Sequence, residues 1–300
     1  MRKSLLKPAA FFLSLILSFP VTSLAAGSDP ALEKEIQRIA AAAQGKVGIA
    51  AVVIETGKTV SLNGDDRFPM QSVYKMPIGM AVLRAVDQGR LKLDQKVPVT
   101  KADYVGERQH SPLRDAHPNG TETTVRELLR YNVLESDGSA CDVLLRLIGG
   151  GPAVTAYLEQ NGVKGVRVIN TEKEIGSAED VQYRNWATPN EALALLKLLH
   201  QGGSLSAESR KLMLKLMTDT QTGLKRIRGL LPPGTAVAHK TGTSQTVNGV
   251  TAATNDIGIV TLPDGRHLAI AVFVSDARAG SEQREKVIAE ISKAVWDAWI

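Results

Sequence analysis

The chain has 300 residues, 43% hydrophobic and 22% charged, an ordinary globular balance and enough length for one large domain or two interlocked ones. Its formal charge of +5 comes without any run of Lys and Arg interleaved with aromatics, and only 4% of residues are aromatic, which argues against a nucleic-acid partner. The lone Cys141 cannot form an internal disulfide; it lies in an apolar helical stretch and reads as buried packing.

Residues 1–26 read as a secretory leader. Arg2, Lys3 and Lys7 precede an apolar run from Ala9 to Leu17, and Ser23-Leu24-Ala25-Ala26 supplies small residues suited to cleavage. Losing those three cations and no acidic residue takes the formal charge from +5 to +2. No later stretch approaches the roughly 18 consecutive apolar residues of a membrane span. No cysteine near the cleavage site could carry a lipid. The expected mature protein is exported, periplasmic or secreted, without a membrane anchor, and monomeric.

Asp29-Pro30 predicts a helix start, with the helix running to about Ala43. Val47 to Ile54 and Thr59 to Leu62 predict two strands around a turn at Thr56-Gly57-Lys58. From Phe68 to about Met217 nearly every periodic segment reads as helix: Ser72 to about Gln88, Val125 to Leu134, Asp142 to Ile148, Val154 to Gln160, Pro189 to His200 and Ala207 to Met217. Thr124 with Glu127, and Thr188 with Glu191, have capping-box spacing. Strands return at Thr235 to Lys240, Ile257 to Thr261 and His267 to Val274, before a helix from about Glu282 to Trp299. The pattern predicts an α+β fold: an antiparallel sheet covered by the terminal helices, with an all-helical domain inserted into it. The expected division is 27–66 with 219–300 for the α/β domain and 67–218 for the helical one, with a cleft at their boundary as the site.

Four stretches carry chemistry. Ser72-Val73-Tyr74-Lys75 puts a hydroxyl and an amine three residues apart on one helix face, where the amine can take the hydroxyl's proton. Alone, such spacing occurs by chance. Ser136-Asp137-Gly138 follows a helix and presents a second hydroxyl from a loop; Asp137 reads as a buried hydrogen-bonding residue. Lys240-Thr241-Gly242-Thr243 ends a strand, where lysine and threonine can hold a carboxylate and glycine admits close approach. Glu172-Lys173-Glu174-Ile175 lies in an aperiodic stretch from Asn170 to Thr188, a length at which loops are usually functional.

In this order and at these separations the motifs resemble those of the class A serine β-lactamases, across the whole mature chain. Val181-Gln182-Tyr183-Arg184-Asn185-Trp186 and the Lys240 to Ser244 segment resemble the PER-like extended-spectrum branch. The resemblance implies that Ser72 is the nucleophile, Lys75 its proton partner, Glu172 the activator of the deacylating water and Ser136 a proton relay to the leaving nitrogen. Counting back from Asn185-Trp186 selects Glu172; Glu174 is the alternative if the loop is short. It further implies an oxyanion hole from the backbone N–H groups of Ser72 and Thr243, and a carboxylate site from Lys240, Thr241, Gly242, Thr243 and Arg226, with Arg228 structural.

The sequence departs from the family pattern in three places. Gly138 stands where an asparagine is usual, Gly176 stands where another asparagine helps hold the water, and Asn170 with Asn185 stand where an arginine and an aspartate pair at the neck of the loop. The turn between Ser244 and Thr254 also looks long, which suggests a wide cleft suited to oxyimino-cephalosporins. His110, His117, His200, His239 and His267 show no paired metal-ligand spacing, so no metal and no organic cofactor is expected; His239 reads as packing beside a strand end, and His110 as near the cleft mouth. The rival readings are a D-alanyl-D-alanine peptidase or penicillin-binding protein, and a protein that is acylated and holds the drug.

Overall fold

The computed structural model describes residues 29–300, so the leader expected over 1–26 lies outside the described residues. Helix α1 (Pro30–Ala40) starts as expected, with Asp29 Oδ1 accepting from Leu32 N at 3.1 Å. Strands β1 (Lys46–Val53) and β2 (Thr59–Leu62) follow. Then come β3 (Phe68–Pro69), α2 (Lys75–Asp87), β4 (Lys96–Val99), α3 (Pro112–Ala116), β5 (Thr121–Thr124), α4 (Val125–Val133), α5 (Gly138–Ile148) and α6 (Gly150–Gln160). The chain continues through β6 (Val166–Arg167), α7 (Glu172–Ile175), β7 (Trp186–Ala187), α8 (Pro189–Gln201) and α9 (Ala207–Asp219). It closes with β8 (Val237–Thr243), β9 (Thr246–Val247), β10 (Val250–Thr251), β11 (Thr254–Thr261), β12 (His267–Ser275) and α10 (Ser281–Trp299).

Five strands form one antiparallel sheet in the order β2-β1-β12-β11-β8. Its central strands are apolar on both faces because each face has its own core. In β1, Val47, Ile49, Ala51 and Val53 meet one cluster, and Ala50 and Val52 meet the other. The first cluster is sealed by Leu32, Ile36 and Ile39 of α1 and by Val287, Ile288, Ile291 and Val295 of α10. On the second face Ala50, Ala269 and Ala271 leave room for α8 to lie close. Gly48 is needed there, since a Cβ at that position would sit 2.3 Å from the Phe68 ring.

Helix α2 is the hub of the second core. Met76, Ile78, Met80, Val82 and Leu83 are all buried, so the helix is apolar around nearly its whole circumference and is wrapped by α4, α5, α6 and α9. Short ladders join these helices where the sequence predicts no strands: β4 pairs with β5, and β3 and β6 flank β7. Runs of two to four residues are too short for an alternating pattern to register.

The two expected capping boxes are half-formed. Thr124 and Thr188 accept from the N–H groups of Glu127 and Glu191 at 3.2 and 3.3 Å, but Glu127 pairs with Arg130 and Glu191 accepts from Gly165 N. In both cases the carboxylate is taken up by a donor other than the cap backbone.

Candidate active site

Ser72 lies in a 3₁₀ turn, Gln71–Tyr74, rather than in the first turn of the α-helix that follows. With three residues per turn, positions i and i+3 eclipse, so the tighter helix brings Lys75 directly over Ser72. Lys75 Nζ donates to Ser72 Oγ at 3.0 Å. Gln71, at φ 48°, enters the left-handed region, and its side chain is tied to Gln182 Oε1 at 2.7 Å. Met70, Val73 and Tyr74 are buried, which anchors the turn in the core.

The Lys75 ammonium also donates to the Ser136 carbonyl at 2.7 Å and pairs with Glu172 Oε1 at 2.7 Å. Burial pushes its proton affinity down, but the Glu172 carboxylate outweighs that and holds it above the usual lysine value. Glu172 is the mirror case: burial raises its pKa, the charge and hydrogen bond of Lys75 lower it, and the net shift is downward. Both partners therefore rest ionised, and three acceptors use all three protons of Lys75.

The loop presents Glu172 from a single helical turn. Thr171 caps α7 and Glu174 completes a true capping box: Glu174 Oε2 accepts from Thr171 N at 2.9 Å and from Asn170 Nδ2 at 3.1 Å. Glu174 is thereby committed to the loop backbone, and Glu172 is the carboxylate on Lys75. From α5, Asp142 accepts the N–H groups of Glu172 and Lys173 at 2.7 and 3.1 Å; burial pushes its carboxyl up to about 6. At the neck, buried Asn185 accepts from Ile169 N and Asn170 N at 2.7 and 2.9 Å and donates to Asn170 O at 2.8 Å. One asparagine, bonded to backbone, closes the loop without an ion pair.

Gly176 is not a void. A Cβ there would lie 2.6 Å from Gln109 Cδ, because the Gln109 side chain fills the space and its Nε2 donates to the Glu172 carbonyl. Gln109 Oε1 in turn accepts from Gly106 N at 3.2 Å.

Ser136, at φ 62°, turns its carbonyl to Lys75 and its hydroxyl to Lys240, whose Nζ donates to Ser136 Oγ at 2.9 Å. Lys240 is fully buried; burial and the nearby Lys75 charge bring its pKa down to about 7 against the opposing pull of Asp256 and Glu172. Asp137 is buried, caps α5 through Ala140 N at 2.8 Å and accepts from Leu113 N at 2.6 Å, the structural role expected of it.

Gly242 is required by proximity: its Cβ would meet Met70 O at 2.2 Å, so β8 runs against the Ser72 turn. Thr241 Oγ1 donates to Thr222 Oγ1 at 3.0 Å. Arg226 Nη2 donates to Thr243 Oγ1 at 2.7 Å while its other nitrogens hold Gly242 O, Asn255 O and Glu285. Arg228 donates to the Thr218 and Val237 carbonyls, as a structural residue should. Ser72, Lys75, Ser136, Glu172, Arg226 and Thr241 thus share one cleft of about 650 Å³, with His110 on its wall.

Sequence reasoning missed Asp142 and Gln109, which act on Glu172 through its backbone and belong to no motif. It also passed over Asn248-Gly249. Both take positive φ (51° and 73°) and turn β9 back on β10, so the long segment after β8 is a hairpin rather than a loop. Asn-Gly between apolar residues is a strong hairpin signal, and it was there to be read. His239 is buried, with Nδ1 3.0 Å from Asp256.

The model of the β-lactamase enzyme family matches residues 31–299. The chain belongs to that family. Among β-lactamases with curated sequences, it is 40% identical over 284 residues to the extended-spectrum β-lactamase PER-1 of Pseudomonas aeruginosa, covering 94% of this chain and 91% of PER-1. It is 39% identical over 274 residues to VEB-1 of the same organism, covering 90% of each. Among solved structures, a β-lactamase from Chitinophaga pinensis superposes with a TM-score of 0.87 at 48% identity, covering 89% of this chain and 99% of that one. This β-lactamase is of class A, with the mixed helical and antiparallel-sheet fold of that class.

Proposed function

We propose that this β-lactamase is an exported, monomeric serine hydrolase whose substrates include bulky oxyimino-cephalosporins. Ser72 Oγ attacks the β-lactam carbonyl, the ring C–N bond breaks, and water then hydrolyses the ester left on Ser72. The observation that carries this reading is the Lys75 ammonium, 3.0 Å from Ser72 Oγ and 2.7 Å from Glu172 Oε1. With its protons already on three acceptors, Lys75 receives the serine proton only after passing one of its own to Glu172. Glu172 is therefore the base for acylation, with Lys75 as conduit; it gives that proton up to solvent and, ionised again, deprotonates water for deacylation, while solvent restores the proton that Lys240 passes on.

Ser136 protonates the departing ring nitrogen and is resupplied by Lys240, 2.9 Å away. The backbone N–H groups of Ser72 and Thr243 stabilise the tetrahedral oxyanion, each such donor being worth roughly 2.7 to 4 kcal/mol. The close contact that Gly242 permits between β8 and the Ser72 turn supports that pairing. Thr241, Thr243, Lys240 and Arg226 hold the substrate carboxylate. No step calls on a metal ion or an organic cofactor.

Similarity to PER-1 and to the extended-spectrum enzyme TLA-3, 43% identical with a TM-score of 0.88, supports the broad spectrum, as does the β9–β10 hairpin beside the cleft. The leader of residues 1–26 supports export to the periplasm.

Rapid-mix mass spectrometry of the mature protein with a penicillin and an oxyimino-cephalosporin tests the reading. A transient adduct on Ser72 with many product molecules per protein is expected for both drugs. A persistent adduct with about one equivalent of product would replace it with the drug-trapping reading.

A further inference from the structure

At the end of the sheet remote from Ser72, three side chains from three elements meet. Glu55 follows β1, His200 lies in the last turn of α8, and His267 opens β12. The Glu55 carboxylate is held in place by His267, with Oε1 2.7 Å from Nδ1 and Oε2 accepting the backbone N–H at 2.8 Å. The His200 ring packs on the His267 ring with centroids 4.3 Å apart. One ligand atom from each of the three residues lies within 4.8 Å of the others. Separations of 145 and 67 residues in sequence hide this cluster from any motif search.

The electrostatics suit a cation. Burial and the neighbouring His267 push the His200 pKa below the usual value, which favours the neutral imidazole that a metal ion needs. Burial raises the Glu55 pKa, but the hydrogen bonds from His267 outweigh it and keep the carboxyl ionised. Arg210, which donates to the His200 carbonyl at 2.9 Å, is a neighbouring charge that opposes a cation. Two imidazoles and one carboxylate match a borderline first-row ion, and the hard ions calcium and magnesium prefer all-oxygen sites.

We propose that Glu55, His200 and His267 form a surface site for a divalent transition metal of the Zn²⁺ class. The ion replaces the proton between His267 Nδ1 and Glu55 Oε1, which leaves to solvent, and solvent completes the coordination. It ties the turn after β1, the end of α8 and the start of β12 together. His267 pairs with Thr261 at one end of β11, whereas Thr243 pairs with Thr254 at the other, roughly 23 Å along the strand. The site is therefore separate from hydrolysis.

Calorimetric titration of the metal-free mature protein with ZnCl₂ tests this, alongside His200→Ala and Glu55→Gln. The expected result is one ion per chain, bound at least about 10-fold more weakly in each variant. Zn²⁺ should also raise the thermal midpoint of the parent but not of His200→Ala, with β-lactam turnover unchanged in both variants. Equal Zn²⁺ affinity in parent and variants, or no saturable binding by the parent, overturns the proposal. Because the variants keep turnover, failure here leaves the reading of the cleft untouched.

Discussion

At the scale of single residues, Glu172 and Gln109 make separable predictions. Glu172→Gln removes the base that activates water, so deacylation should fall roughly 10²- to 10⁴-fold and the Ser72 adduct should persist in mass spectra; an unchanged rate removes Glu172 from that role. Gln109 is a positioning residue, since it reaches Glu172 through the backbone carbonyl. Gln109→Ala should slow acylation and deacylation together, because Glu172 is the base for both, so that kcat/KM falls along with kcat. Gly176 sits at φ −73°, ψ −8°, which any residue adopts, so only the Gln109 side chain obstructs an asparagine there. Gly176→Asn alone should therefore damage turnover, and the pair Gln109→Ala with Gly176→Asn should recover it, a non-additivity that a double-mutant cycle measures. Lys240 sets a pH limb. Its ammonium is present below about 7 and lost above, so kcat/KM for carboxylate-bearing substrates should decline as pH rises through about 7. In Lys240→Arg that limb should vanish from the pH profile, because a guanidinium stays charged.

At the scale of elements, the loop that carries Glu172 hangs on Asn185. Asn185→Ala leaves Ile169 N and Asn170 N without their acceptor, a loss of about 1–3 kcal/mol for a buried unsatisfied group. Amide exchange should accelerate across residues 170–185 while α2 keeps its protection; uniform exchange across both would refute a local role for the neck. This element also shows where sequence reading reaches its limit. The helices and sheet strands were legible because the outer helices are periodic, the central strands are short continuous apolar runs, and the caps are local, as at Asp29 and Thr188. Ser72, Lys75, Ser136 and the Lys240 to Thr243 strand end were legible as motifs; the fold brings Ser72, Lys75, Ser136, Thr241 and Thr243 into one cleft, with buried Lys240 behind it on Ser136 Oγ. The 3₁₀ turn at Ser72 was not, because it arises from burial of Met70 and Tyr74 and from Gln71 at positive φ. Asp142 and Gln109 were hidden because they bond to backbone, and a backbone carries no sequence signal. The cluster of Glu55, His200 and His267 was hidden because only strand pairing and the packing of α8 on the sheet bring it together.

At the scale of the molecule, the sheet is common to both cores. Ile49 and Ala51 face the terminal helices, and Ala50 and Val52 face the helical region, so neither core survives loss of the strand between them. Denaturant unfolding followed by far-ultraviolet circular dichroism, which reports the helices around α2, should coincide with that followed by Trp296 and Trp299 fluorescence in the other core. Separated midpoints would mean that the helical region holds itself together. The order of strands has a further consequence for how the chain comes into being. β1 is made early yet lies between β2 and β12, and β12 ends only 25 residues before the C-terminus. A ribosome must make β12 before the middle of the sheet can close, and such long-range pairing is slow. Until then β1 lacks its β12 partner and the nascent chain stays threadable, which fits the export proposed above.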